Sequence, residues 1–304
     1  MTEASNPRPG LIVLLIAVVV IFILVAVILL FPPGGNGDDG ENGGGGEGPW
    51  KDLTRMKASI SEVTVFNYNE IDGPTSLDER TDVTDTVYML IGLQENLTSE
   101  DIVSMRDFAE RGGKVIVADD GTRANRISNF FQGESDGKVE YTGKNYLVDS
   151  LFTEGPNSDP GWVHNVRFIK GYSIVQGTQP HDVLVDRPKG LIITGEGRPV
   201  LTTTKELTVI DMNENGEMDL EEGNEDIYQA YGPVAAEFDV GENGGTITYF
   251  SSTGIFTDSM FSEAENEEFL REYLLSLIPD GGRILLDDSK QTGEYSPHTA
   301  VIPG

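Results

Sequence analysis

Leu11 to Phe31 reads LIVLLIAVVVIFILVAVILLF, 21 consecutive apolar residues without a charge, a glycine or a proline. At about 1.5 Å per residue such a run spans ~30 Å as a helix, the thickness of the hydrocarbon core of a bilayer. The apolar region of a cleaved signal peptide is shorter, about 7–15 residues, and leads into a small-residue cleavage site. Here Pro32-Pro33-Gly34 follows instead. The run is therefore expected to be a retained transmembrane helix that holds the chain in the lipid bilayer. Arg8 precedes it, and no Lys or Arg follows until Lys51. The positive-inside rule then places residues 1–10 in the cytoplasm and the rest of the chain outside. The glycosylation triplet Asn96-Leu97-Thr98 agrees with an outside domain.

Residues 32–49, PPGGNGDDGENGGGGEGP, are glycine and acid. Such a segment has too little to bury to order itself, and its charges repel, so a disordered tether reaching about 20–25 Å is expected. A single folded domain is expected over 50–288 and a flexible tail over 289–304.

Charge narrows the function classes. The chain carries 51 acidic residues against 21 Lys and Arg, a net charge of −30. Phosphate contacts need cations, so nucleic acid is excluded as a partner of this surface. Six of the acids (Glu3, Asp38, Asp39, Glu41, Glu47, Glu294) and two of the cations (Arg8, Lys290) lie outside 50–288, which leaves 45 acids and 19 cations on the domain. A surface of this kind repels itself unless salt screens it. It suggests a halophilic setting and a salt-adapted prokaryote, archaea included. There is no cysteine, which removes thiol nucleophiles, disulfides and Cys-ligated metals.

Within the domain, strand and helix patterns alternate. Ile60–Phe66 is β-branched and predicts a strand. Thr86–Ile91 (TVYMLI) predicts a strand buried on both faces. Thr98 or Ser99 can cap a helix whose apolar face is Ile102, Met105, Phe108 and Ala109, ended by Gly112-Gly113. Lys114–Ala118 (KVIVA) returns as a strand, and Arg123–Phe131 predicts a second helix. Short strands are expected at 163–169, 183–185, 191–194 and 207–210. A hairpin is expected over 234–252 around Gly241–Gly245, a helix over Glu263–Leu277, and a last strand over Arg283–Leu286. The alternation argues for an α/β domain with a mainly parallel sheet.

The segment TVYMLIGLQENLTSEDIVSMRDFAERGGKVIVADDGTRANRI resembles a family of uncharacterised membrane-anchored domains similar in fold to class I glutamine amidotransferases. Members are often encoded beside MoxR-type ATPases. The core of the likeness runs from Thr86 to Asn125. GPVAAEFDVGENGGTITYFSSTGIFTD and ILLDDS fit the same plan, and a related likeness is to domains that accompany gliding-motility and ABC-type transport systems. The resemblance implies a three-layer amidotransferase-like fold with β-rich insertions. It also implies a nucleophilic Cys just after the strand that ends at Ala118. Asp119 stands at that position, so glutaminase chemistry through a thioester is not expected. His164, His181 and His298 have no recognisable nucleophile beside them in sequence.

Two places carry candidate sites. Beyond the carboxyl end of Lys114–Ala118, where α/β sheets bind ligands, Asp119, Asp120, Thr122, Arg123 and Asn125 form a polar turn. Ordinary capping of the next helix accounts for the same residues. The second is Asp211-Met212-Asn213-Glu214-Asn215-Gly216-Glu217-Met218-Asp219-Leu220-Glu221-Glu222, which fits D-x-[DN]-x-[DN]-G-x₅-E. Calcium takes six to eight hard oxygens from a tightly wound loop. Asp211, Asn213, Asn215 and Asp219 offer side-chain oxygens, Glu217 its carbonyl, and Glu222 a bidentate carboxylate. The flanks are not helical, so a structural Ca2+ loop on a β scaffold is expected rather than a paired sensor. An acidic turn in an acidic chain is the alternative.

The function these features favour is a single-pass, outward-facing, non-catalytic binding or assembly domain of the cell envelope, within an envelope protein complex. The alternatives are a carboxylate- or metal-dependent envelope hydrolase and an accessory domain of an ABC-type transport system.

Overall fold

The apolar runs of the sequence become the centre of one sheet. In a computed structural model, residues 53–93, 95–132, 137–148, 168–175, 177–186, 188–203, 208–210, 212 and 227–290 are described. The expected membrane helix 11–31, the tether 32–49 and residues 291–304 lie outside them. Among the described residues no helix is long and apolar enough to cross a membrane.

Five strands run parallel: β1 (Phe66–Glu70), β2 (Thr86–Ile91), β3 (Lys114–Ala118), β12 (Gly245–Phe250) and β13 (Gly282–Asp287). Four more join antiparallel: β5 (Phe168–Ser173), β6 (Asp182–Asp186), β8 (Arg198–Thr203) and β11 (Pro233–Val240). The order is β1-β13-β2-β3-β12-β11-β8-β5-β6. The sheet is therefore mixed, parallel in one half and antiparallel in the other, where the sequence predicted a mainly parallel one. A second sheet runs β10 (Ile227–Gln229), β9 (Thr208–Ile210), β4 (Gly137–Val148) and β7 (Lys189–Gly195).

Burial explains the central strands. All six residues of β2 are buried. Val87, Met89 and Ile91 enter one core, and Tyr88 and Leu90 enter the other, as the period of two demands. The first core is closed by α1 (Thr54–Glu62), α4 (Asp258–Phe261) and α5 (Asn266–Leu277). Phe250 is its hub, with edge-on rings of Phe256, Phe269 and Tyr273 at 5.1, 6.3 and 6.1 Å. The second core is closed by α2 (Ser99–Glu110), α3 (Ala124–Phe131), β4 and β7.

Local chemistry sets the helix ends. Thr98 caps α2: its hydroxyl accepts from Asp101 N at 3.1 Å, and the Asp101 carboxylate accepts from Thr98 N at 2.8 Å. This reciprocal pair satisfies two otherwise orphaned amides. Gly112 follows at φ +104°, a conformation that favours glycine. The predicted strand over Ile60–Phe66 is corrected. Residues 54–62 are helical, with Met56 and Ile60 buried on one face, and the strand begins only at Phe66. The β-branched residues there gave the wrong period because the i, i+4 pair was the deciding one.

The edge at β6 is sealed by α5. The buried Asn266 carboxamide accepts from Leu184 N and donates to Leu184 O, both at 2.9 Å. Glu265 adds an accepting carboxylate for Asp182 N at 2.8 Å, and its own amide donates to Asp182 O at 3.0 Å. Side-chain and backbone groups of a helix start here replace a missing strand. Asn266→Ala removes both bonds to Leu184 at a site that is 0 % exposed. It is expected to lower stability by roughly 2–4 kcal/mol in urea unfolding.

Candidate functional site

The turn after β3 is built around one buried carboxylate. β3 stays in the sheet through Asp119, whose amide donates to Phe250 O at 3.2 Å. The Asp119 side chain then folds back. Its Oδ1 accepts from Gly121 N at 3.0 Å, and its Oδ2 accepts from Ala124 N, the first residue of α3, at 2.9 Å. Asp119 is only 2 % exposed. Burial pushes its pKa up to about 6, against the downward pull of the two amides and of Arg123 and with an upward push from Asp120.

Asp120 turns elsewhere. Its carboxylate accepts from Thr253 N at 2.7 Å and from the Thr253 hydroxyl. Thr253 lies just beyond the carboxyl end of β12. Burial raises the Asp120 pKa, opposed by the bonds from Thr253 and by the charge of Lys189, with Asp186 pushing it up again. The facing ends of β6 and β7 bond to the same segment: Lys189 N donates to Ser251 O at 2.9 Å and the Ser252 hydroxyl to Asp186 O at 2.6 Å. The two neighbouring carboxylates thus serve different donors in different directions. Each works as a fastening of the backbone that leaves a strand end.

The other residues of the turn divide by role. Asn125 is half-buried, and its carboxamide pairs with one residue of β4, donating to Tyr141 O at 2.8 Å and accepting from Tyr141 N at 2.7 Å. One turn further along α3, Ser128 does the same for Val139, with bonds of 2.6 and 3.0 Å. Helix spacing of three matches strand spacing of two here, so α3 acts as a strand edge for β4. Tyr141 closes the circuit, since its buried hydroxyl donates to Phe250 O at 3.0 Å, the carbonyl that also receives Asp119 N. Thr122 is exposed beside Gly143 of β4. Arg123 is exposed, with its guanidinium donating to Leu93 O at 3.2 Å.

Of the five predicted ligand-binding residues, Asp119, Asp120 and Asn125 are each engaged with a different part of the backbone, and Thr122 and Arg123 are exposed. Sequence reasoning passed over Tyr141, Thr253 and Asp287. Asp287 ends the apolar strand β13 yet is 0 % exposed, accepting from the Tyr88 hydroxyl at 2.6 Å and from Ser289 N at 2.9 Å. The signal was present in Ile-Leu-Leu-Asp-Asp, an apolar run ending in acids, as in Val-Ile-Val-Ala-Asp-Asp.

The predicted calcium ligands Asp211, Asn213, Asn215, Glu217, Asp219 and Glu222 lie outside the described residues. Their frame is described: β9 and β10 are antiparallel, with Ile210 opposite Ile227. Among the described residues no group of three or more His, Asp or Glu side chains converges as metal ligands.

No protein-family model and no curated protein matches the chain. Among solved structures, the mmIFT52 N-terminal domain is similar at 11% identity and a TM-score of 0.43, over 63% of this chain and 76% of that one. The GH42 beta-galactosidase Gan42B from G. stearothermophilus is similar at 12% identity and a TM-score of 0.32, over 64% of this chain and 22% of the enzyme. The exo-beta-1,4-mannosidase Op5Man5 from Opitutaceae bacterium strain TAV5 scores 0.29 at 10% identity, over 64% and 24%. The chain thus spans about a quarter of either glycosidase. At these scores the likeness carries no argument.

A carboxyl group whose pKa is raised on folding makes the folded state bind its proton first. The Asp119 contribution is therefore unfavourable above about pH 6 and is relieved as pH falls from about 6 toward the unfolded value of 3.8. The stability of the wild type relative to Asp119→Asn is expected to rise by up to roughly 2–3 kcal/mol between pH 7 and pH 4. Urea unfolding of both proteins across that range measures it.

Proposed function

We propose that this chain is a single-pass, membrane-anchored protein of the cell envelope whose outward-facing domain binds or assembles with envelope partners and performs no catalysis. The observation that supports it most is the divergence of Asp119 and Asp120. Acid–base work by paired carboxylates needs both groups aimed at one reacting centre. Here each carboxylate is occupied by its own backbone amides and hydroxyl. The absence of cysteine removes the thiol that an amidotransferase-like site would use. The apolar run 11–31 supports the anchor, and the placing of Arg8 before it supports the orientation. The acidic surface suits a salty exterior in which charge is screened.

Two experiments test the reading. Protease added to intact cells is expected to digest residues 50–288 while a tag on residues 1–10 survives; full protection of the domain contradicts the orientation. Purified full-length chain is expected to show no hydrolysis of ester, phosphoester, amide or glycoside substrates. Hydrolysis that disappears in a folded Asp119→Asn, Asp120→Asn double variant supports the carboxylate hydrolase instead.

The acidic segment Asp211–Glu222, which lies between β9 and β10 in sequence, is proposed to bind Ca2+ and to hold those two strands together. What supports it is the fit of residues 211–222 to D-x-[DN]-x-[DN]-G-x₅-E, and the strands β9 and β10 on either side in sequence favour a structural role over a helix–loop–helix sensor. Extracellular calcium modules bind with dissociation constants of about 10⁻⁴–10⁻³ M. Exchange of EDTA for 5 mM calcium is then expected to raise the melting temperature by ~2–5 °C, and Glu222→Gln to abolish the rise. An unchanged melting temperature removes the calcium proposal.

A further inference from the structure

The two edges of the nine-stranded sheet are finished differently. At β6 the start of α5 supplies Asn266 and Glu265 to backbone groups that have no strand beside them. At the other edge β1 pairs with β13 alone, in an unbroken parallel register from Phe66 opposite Gly282 to Glu70 opposite Leu286. In a parallel ladder the backbone groups of successive residues point alternately to one side and the other. Gly282 N donates to Val65 O at 3.0 Å and Ile71 N to Leu286 O at 2.9 Å. These two bonds fix the phase: Val65, Asn67, Asn69 and Ile71 face β13, and Phe66, Tyr68 and Glu70 face outward. Phe66 N is taken by Val63 O at 2.9 Å. The Phe66 carbonyl and the amides and carbonyls of Tyr68 and Glu70 remain, and among the described residues nothing bonds to them.

Open edges are commonly guarded by a lysine, a proline or a bulge that turns other chains away. The β1 sequence FNYNE holds neither lysine nor proline, and its register has no bulge. Val65, at the entry to the strand, is a large apolar side chain left 49 % exposed. The charge around the edge is mostly of one sign. Glu62 and Asp280 are exposed at the amino end of β1, and Glu70 and Asp72 at its carboxyl end. Lys57 is already ion-paired there, with Glu70 at 3.0 Å and Asp288 at 3.1 Å.

We propose that the outer edge of β1 is a docking site for an extended, lysine- or arginine-rich segment of a partner protein, which joins the sheet as a further strand. Tyr68 and Glu70 supply the backbone hydrogen bonds and Val65 an apolar contact. Glu62, Asp72 and Asp280 supply the charge that selects a basic segment over others. A second copy of this chain suits the edge less well, because it brings the same acids against them and both copies carry a large negative charge. The proposal rests on the assembly role proposed above for a partner to exist. Its test reads pairing at β1 alone, and orientation and catalysis do not enter it.

The test is amide hydrogen exchange of the full-length chain in detergent, with a peptide of about seven residues that alternates lysine and valine, long enough to span β1 at ~3.3 Å per residue. At about ten times its dissociation constant the peptide is expected to slow exchange of the Tyr68 and Glu70 amides about tenfold. The Asn67 and Asn69 amides, which already face β13, are expected to show no comparable change. The same peptide methylated at every backbone nitrogen keeps its charge but has no backbone donor, and is expected to slow neither amide. A peptide alternating glutamate and valine is expected to slow neither as well. These controls act on the peptide, so no variant of the protein has to fold. No binding at millimolar basic peptide overturns the proposal, as does binding that leaves Tyr68 and Glu70 unchanged. Equal slowing by the acidic or the methylated peptide overturns it too. Protection of the same amides that rises with protein concentration in the absence of peptide assigns the edge to a second copy and equally overturns it.

Discussion

A carboxylate removed from water must be met by donors, and the exit of β3 is arranged around that requirement. Asp119 draws Gly121 N and Ala124 N onto its two oxygens. That fixes where α3 begins. The position of α3 then fixes β4, because Asn125 and Ser128 pair with Tyr141 and Val139 as a neighbouring strand would. β4 carries the second sheet, pairing with β7 on one side and β9 on the other. A chain of hydrogen bonds from one buried acid thus places a whole layer of the domain. Tyr141 returns the chain to its start by bonding Phe250 O.

The same device recurs at other strand ends. Asp120 fastens the backbone beyond β12 through Thr253, and Asp287 fastens the end of β13 through Tyr88 and Ser289. Glu265 does so at the start of β6, and Asn266 extends the seal along its edge at Leu184. In each case a polar side chain beside an apolar run meets groups that the sheet leaves open. The carboxyl end of the parallel strands is the usual place for a ligand in α/β folds. Here several of its polar groups are engaged in holding the structure.

Much of this architecture was legible in the sequence, and for identifiable reasons. TVYMLI and KVIVA have no polar face, which only a strand covered on both sides tolerates. Thr98 with Asp101, and Gly112 after the helix, are local signals that survive any tertiary context. The hairpin over β11 and β12 was readable from its alternation and its glycine-rich turn. The start of the domain was not, because Ile60 and Val63–Val65 favour a strand locally while packing of Met56 and Ile60 under the sheet favours a helix. β4 was missed because its residues Lys138, Glu140 and Thr142 dilute the pattern, and its partners on α3 are side chains. The mixed character of the large sheet depends on pairings between β5, β6, β8 and β11 that no local signal encodes. At the strand-end turn, the order of the chain places Asp119 and Asp120 directly after the apolar run of β3. Which way each carboxylate points depends on Thr253 and Ala124, and on contacts distant in sequence.

The central claim is that Asp119 and Asp120 are separate fastenings and not one reacting pair. The most direct measurement is a carboxyl carbon NMR titration of the domain with both side chains assigned. Independent fastenings predict a single step for Asp119 near pH 6, accompanied by shifts of the Gly121 and Ala124 amides, and a separate single step for Asp120 that moves Thr253. Two strongly split steps shared by both carboxylates, the behaviour of acids that hold one proton between them, would contradict the account.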